Sequence, residues 1–144
     1  MERKRRAGQA GITLIEMLVV VTIIALFAAL VAPRMLRKTD TARVTAARAQ
    51  INAFMTALGA YKLDTAVYPT NEEGLQALRT PPPNVNRWQG PYLPQEIPSD
   101  PWGRPYVYRY PSEAGDEPEI ISYGADGQPG GEDVNTDIVS WKSQ

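Results

Sequence analysis

The sequence predicts an α+β fold, a long N-terminal helix followed by a small antiparallel sheet, and three observations carry that prediction. From Ile12 to Ala32 the only ionisable residue is Glu16, so this run reads as one apolar helical segment. From about Thr41 to Leu63 apolar residues recur at alternating spacings of three and four, the period of an amphipathic helix. Beyond Pro105, short β-favouring segments alternate at Tyr106–Tyr110, Glu119–Tyr123 and Ile138–Trp141.

The apolar run comes first. At about 1.5 Å per residue the stretch from Gly11 to Ala32 makes a helix of roughly 33 Å, long enough to cross a bilayer core. Arg3, Lys4, Arg5 and Arg6 precede it, and the positive-inside rule keeps that end cytoplasmic and exports the chain beyond Pro33. The run is longer than a secretory h-region, and it lacks a small-x-small cleavage site immediately before a polar mature sequence; Ala28–Ala32 is the nearest approach. A carboxylate inside lipid costs about 2.5 kcal/mol or more. Glu16 therefore needs a cation, and the segment contains none. Cleavage after Gly11 would create one, the α-amino group of Ile12.

Pro33 marks the end of the apolar run, and Arg34, Arg37 and Lys38 suit the exit interface. In the second helical stretch Val44, Ala47, Ile51, Phe54, Leu58 and Tyr61 form one stripe, free to pack on a following domain. Asp64-Thr65 with Tyr68-Pro69 ends it. Thr70 or Asn71 then caps a short helical turn reaching Leu78. Eight prolines between Pro81 and Pro105, interleaved with Trp88, Tyr92 and Trp102, predict a rigid loop whose aromatics cover a surface.

Composition narrows the function. About 50 residues go to leader and helix, leaving one small domain, with a core too limited to need no further clamp. The chain has no cysteine, so that clamp is not a disulfide. It has no histidine either, which with the missing cysteine removes two common catalytic arrangements, and no Gly-rich phosphate loop precedes a helix. No constellation supports an enzyme. Nucleic-acid binding is disfavoured because the exported cations are dispersed. Residues 1–11 carry three net positive charges, so removing them takes the chain from −1 to about −4.

Acids collect near the C-terminus. Between Ser112 and Asp137 stand Glu113, Asp116, Glu117, Glu119, Asp126, Glu132, Asp133 and Asp137, with no Lys or Arg. Gly127, Gly130 and Gly131 permit tight turns among these hard oxygen donors. The loop lacks EF-hand spacing and any His or Cys that would favour zinc. On spacing alone a solvated acidic loop and a Ca²⁺ site stand equal.

These residues also carry a resemblance. Gly11-Ile12-Thr13-Leu14-Ile15-Glu16 resembles the class III signal of type IV pilins and pseudopilins. Tyr68-Pro69-Thr70, Gly74-Leu75-Gln76-Ala77-Leu78, Gly90-Pro91-Tyr92-Leu93, Asp100-Pro101-Trp102-Gly103-Arg104-Pro105-Tyr106, Ser122-Tyr123-Gly124-Ala125-Asp126-Gly127 and Asp137-Ile138 are similar to the major pseudopilin family of type II secretion systems. The resemblance implies a type IV pilin-like fold, with leader 1–11, a polymerisation helix over 12–33 and a periplasmic domain over 34–144. That domain would comprise the amphipathic helix to about 63, a Pro-rich variable loop over 64–105, and the sheet and acidic loop over 106–144. It implies cutting after Gly11 by a prepilin peptidase, N-methylation of Ile12, and pairing of Ile12 with Glu16 of a neighbouring copy in a helical filament. It further implies minor pseudopilins and an inner-membrane assembly platform as partners, an inner-membrane location before assembly, and a role in driving folded proteins across the outer membrane. In the acidic loop it implies Ca²⁺ held by Asp126, Asp133 and Asn135, with backbone carbonyls of Tyr123 and Gly131. The competing readings are a type IV pilin subunit and a membrane-anchored binding or adhesin module that never polymerises.

Overall fold

The structure, a computed structural model, describes residues 11–142, with the side chains of 32–38 excepted. The leader cations and the interface residues Arg34, Arg37 and Lys38 lie outside the described residues and side chains. The chain divides into two units, Met1–Lys38 and Thr39–Gln144.

Helix α1 spans Leu14–Thr65, and its backbone is helical across Pro33. It begins at Thr13, whose hydroxyl accepts the Glu16 N–H at 3.3 Å and so caps the first turn. In the first unit Leu14–Val31 has a mean hydropathy of 2.9, and none of it is buried among the described residues.

The second unit forms its core on the other half of α1. Ala47, Ile51, Phe54, Ala57, Leu58 and Tyr61 are buried, and Val44 is half-buried against the same cluster. The predicted stripe is thus the packing face. Ala66 closes the helix in the left-handed region at φ 67°, donating its N–H to the Lys62 carbonyl at 2.8 Å. Thr70 and Glu73 then form a reciprocal capping box: the Thr70 hydroxyl accepts the Glu73 N–H, and the Glu73 carboxylate accepts the Thr70 N–H at 2.8 Å. This turn leads into the 3-10 helix Gly74–Leu78, which buries Leu75, Ala77 and Leu78.

The Pro-rich loop is ordered by its aromatics, as expected. The Trp88 indole N–H donates to the Ala77 carbonyl, and the Tyr92 hydroxyl donates to Asp64 at the end of α1, both at 2.8 Å. Edge-to-face contacts join Tyr92 to Tyr61 and to Trp88, and Phe54 to Tyr106.

Three antiparallel strands follow in the order β1-β2-β3: Val107–Arg109, Glu119–Ser122 and Ile138–Val139. Each is shorter than its alternation predicts, and β1 and β3 stop for identifiable reasons. At Tyr110 the Asn71 side-chain amide accepts the backbone N–H and donates to the carbonyl, standing where a strand partner would be. At Ser140 the hydroxyl accepts the Ile120 N–H, replacing a ladder carbonyl and ending β3. Every residue of β2 is buried, so the central strand carries the sheet side of the core.

Candidate functional site

Two regions bear on function. The first is the start of α1. Gly11, Ile12 and Glu16 are exposed, and Glu16 lies in the first helical turn. A negative charge there is favoured by the helix dipole by about 0.3–1 kcal/mol, too little to offset burial in lipid. Among the described residues no ion pair reaches Glu16, and the apolar run itself contains no cation.

The second region is the acidic loop after β2. Its base is set by residues far away in sequence. Asp100 is buried; its Oδ1 accepts the N–H groups of Trp102 and Arg104, and its Oδ2 accepts the Ser122 hydroxyl at 2.7 Å. Backbone bonds between Asp100 and Arg104 close the same turn, with Gly103 at φ 86°. From that turn the Arg104 guanidinium donates to the carbonyls of Gly124 at 2.7 Å and Ala125 at 2.8 Å. Neither Asp100 nor Arg104 stands out in the sequence as a site residue. Only their place in the Asp100–Tyr106 motif signals them.

The loop then folds back on itself. Ala125 N–H donates to the Val134 carbonyl at 3.0 Å, tying the Tyr123–Asp126 segment to the Asp133–Asn135 turn. Gly124 and Gly131 approach Asn135 so closely that a Cβ on either would collide with its backbone. Tyr123, Asp126, Gly131, Asp133 and Asn135 are in this way gathered on one closed loop. Their side chains are not all turned alike: Asp126 accepts the Gln128 N–H at 3.1 Å, while Asp133 lines a cavity of about 250 Å³ with Asp137, Arg48 and Lys142. Asp137, outside the implied ligand set, accepts the Gly130 N–H through Oδ2, and its Oδ1 is buried without a hydrogen-bond partner.

The donors fit Ca²⁺ in kind. Among the described residues no three His, Cys, Asp or Glu side chains converge, so a cation here would rest on two carboxylates, an amide and carbonyl oxygens. That is an all-oxygen set with flexible geometry, suited to Ca²⁺ and not to zinc. Asp133 sits at φ 53° and Gly131 at φ 88°, so the loop backbone is already tightly turned.

Two of the remaining acids meet Arg109. Glu119, buried on β2, lies 4.0 Å from Arg109 across the β1–β2 pair and accepts the Trp141 indole N–H. Glu113 meets the same guanidinium at 3.4 Å. A single cation from β1 is thus shared by two acids of a segment that contains none.

A cap-started apolar helix bearing one uncompensated carboxylate, running into an amphipathic half that packs on a three-stranded sheet, defines a pilin-like subunit. Residues 6–32 match the prokaryotic N-terminal methylation motif, and residues 34–141 match the family described as type II secretion system, protein G. The type II secretion system core protein G of Pseudomonas aeruginosa is 42% identical over 140 residues, spanning 95% of this chain and 98% of that protein. Its counterpart in Vibrio cholerae serotype O1 is 41% identical over 144 residues, spanning 98% and 97%. The crystal structure of the major pseudopilin from the type 2 secretion system of enterohaemorrhagic Escherichia coli is 34% identical, with a TM-score of 0.60, covering 76% of this chain and 95% of that one. The chain belongs to the type II secretion system protein G family.

Proposed function

We propose that this chain is the structural subunit of a type II secretion pseudopilus, held in the inner membrane before assembly and non-enzymatic. One observation carries the reading: an apolar helical segment, Leu14–Val31, that is bare among the described residues, with Glu16 as its one charge. Family membership and the methylation motif support it. The basic leader stays cytoplasmic and the domain faces the periplasm. Prepilin peptidase cuts after Gly11, and the amino group of Ile12, methylated or not, pairs with Glu16 of the next copy. Inside a packed apolar filament core that pair is strongly coupled, because breaking it leaves a buried charge uncompensated, and it sets the axial register between copies. Minor pseudopilins and the inner-membrane assembly platform complete the growing fibre.

The acidic loop takes the part of the absent disulfide. Asp126, Asp133 and Asn135, with the Tyr123 and Gly131 carbonyls, would hold Ca²⁺, which supplies a multivalent crosslink between the two segments of the loop. The filament reading is tested with Glu16→Ala, produced alongside the rest of the secretion system and imaged by electron microscopy. The expected result is loss of filaments with an unchanged melting curve for the domain. Filaments at wild-type frequency would overturn it in favour of an anchored module.

A further inference from the structure

We propose that Arg104 is a positioning residue that holds the first half of the acidic loop in place without metal, so that cation release loosens only the second half. The inference rests on the Ca²⁺ reading for its second half alone. Arg104 emerges from a turn fixed at both ends. Its N–H goes to the Asp100 carboxylate, its carbonyl accepts the Asp100 N–H at 2.7 Å, and Asp100 is itself bonded to Ser122 at the end of β2. The guanidinium therefore reaches the loop from a platform anchored one residue before the loop begins.

Its fork takes two successive carbonyls, those of Gly124 and Ala125. A planar guanidinium with fixed donors suits that bidentate task. Gly127 completes the seat: at φ 71° it lies so close to Arg104 that a Cβ would strike the guanidinium. The Gly127 N–H closes back on the Tyr123 carbonyl at 3.1 Å. Residues 123–127 are thus clamped by protein groups alone. Beyond them a single backbone bond, Ala125 N–H to the Val134 carbonyl, ties the second half to the first, and the bonds within that half are local: Gly130 N–H to Asp137, Asn135 N–H to Glu132 and Thr136 N–H to Asp133. That half holds Asp133, Asn135 and Gly131, with no cation of its own between Gln128 and Asp137.

A segment already ordered does not have to be ordered again on binding. The clamp thus prepares Tyr123 and Asp126 to meet a metal, while the Gly130–Asn135 turn is the part that the metal closes.

The test is hydrogen exchange followed by mass spectrometry on the full chain in detergent, reading peptides over 121–128 and 129–137, with CaCl₂ or with EGTA. In EGTA the wild type should keep 121–128 protected and exchange 129–137 about tenfold faster than in Ca²⁺. Arg104→Gln and Gly127→Ala should each release 121–128 in EGTA as well, and both should weaken Ca²⁺ binding by about tenfold in calorimetry. Arg104→Lys, which keeps charge but not the fork, should recover only part of the protection. Loss of protection over both peptides in wild-type protein in EGTA would overturn the clamp, as would an Arg104→Gln pattern equal to wild type. If Ca²⁺ neither binds nor alters 129–137, the metal reading fails, and the metal-free comparison of wild type with Arg104→Gln still decides the clamp.

Discussion

The chain has two phenylalanines, both on α1, and they meet opposite fates. Phe27 is 63% exposed in a helical stretch that is bare among the described residues; Phe54 is fully buried among Ile51, Leu58, Tyr106 and the sheet. Both halves of the helix carry many apolar residues, but only one confines them to a stripe with a polar back. The half with the stripe folds the domain. The half that is apolar all round is, in the proposed function, the part that lipid or other copies cover, with its lone acid paired to the cut amino terminus of a neighbour. The acid-rich C-terminal segment shows the contrary arrangement, with Glu113 and Glu119 met by Arg109, Asp137 met by a backbone donor, and the backbone of the loop held by Arg104.

The contrast can be attacked directly. Phe54→Ala should destabilise the domain by about 3–5 kcal/mol in urea unfolding, while Phe27→Ala should shift the same midpoint by less than about 0.5 kcal/mol. Comparable losses would break the division into a folding half and an assembly half. Next in size is Asp100→Ala, which strands the Ser122 hydroxyl and two backbone N–H groups; about 3 kcal/mol is expected, with loosening of the acidic loop seen by proteolysis. A domain melting at the wild-type temperature would show that the loop does not hang on this turn.

Calcium sharpens the comparison at the other end of the chain. At a hundredfold excess over the dissociation constant a ligand adds about 2.7 kcal/mol, so Ca²⁺ should raise the domain's melting temperature by roughly 10 °C over EGTA. Asp126→Ala with Asp133→Ala should abolish that rise and leave the EGTA curve nearly unmoved. Equal wild-type curves with and without Ca²⁺ would remove the metal from the account.

The smallest effect is alkaline. Burial, with the Asp100 charge adding to it, pushes the Tyr106 hydroxyl from 10.0 to about 12, and burial also raises Tyr61, Tyr92 and Tyr108. A folded-state value above the unfolded one means that stability is intact below pH 10 and falls as pH rises toward 12. Tyr106→Phe should make that decline shallower, measured as melting temperature against pH. An equally steep decline would contradict the assignment.

Much of this architecture is readable from the sequence, and the reason is periodicity. The Val44-to-Tyr61 stripe and the three alternating segments are local patterns, and each appears in the core or the sheet. The features that the sequence hides are non-local or without a local signature. Asn71 ends β1 from 39 residues away, and Arg104 reaches the acidic loop across 20. Ala66 in the left-handed region closes the helix although alanine does not advertise that conformation. Thr13 and Glu16 have the spacing of a cap and its N–H donor, a signal masked by the more conspicuous need of the Glu16 carboxylate for a cation. The acidic loop is legible as a cluster of donors, whereas the clamp that shapes it is not.

The charge on the bare half of α1 is, on this reading, neutralised by an amino terminus made by cleavage, and on that pairing the filament depends. The most direct measurement is the intact mass of the protein extracted from membranes of a host with an active prepilin peptidase. The expected result is a species beginning at Ile12, with or without one added methyl group. A full-length, uncut chain beside a control substrate that is cut would contradict it, leaving Glu16 without its proposed cation.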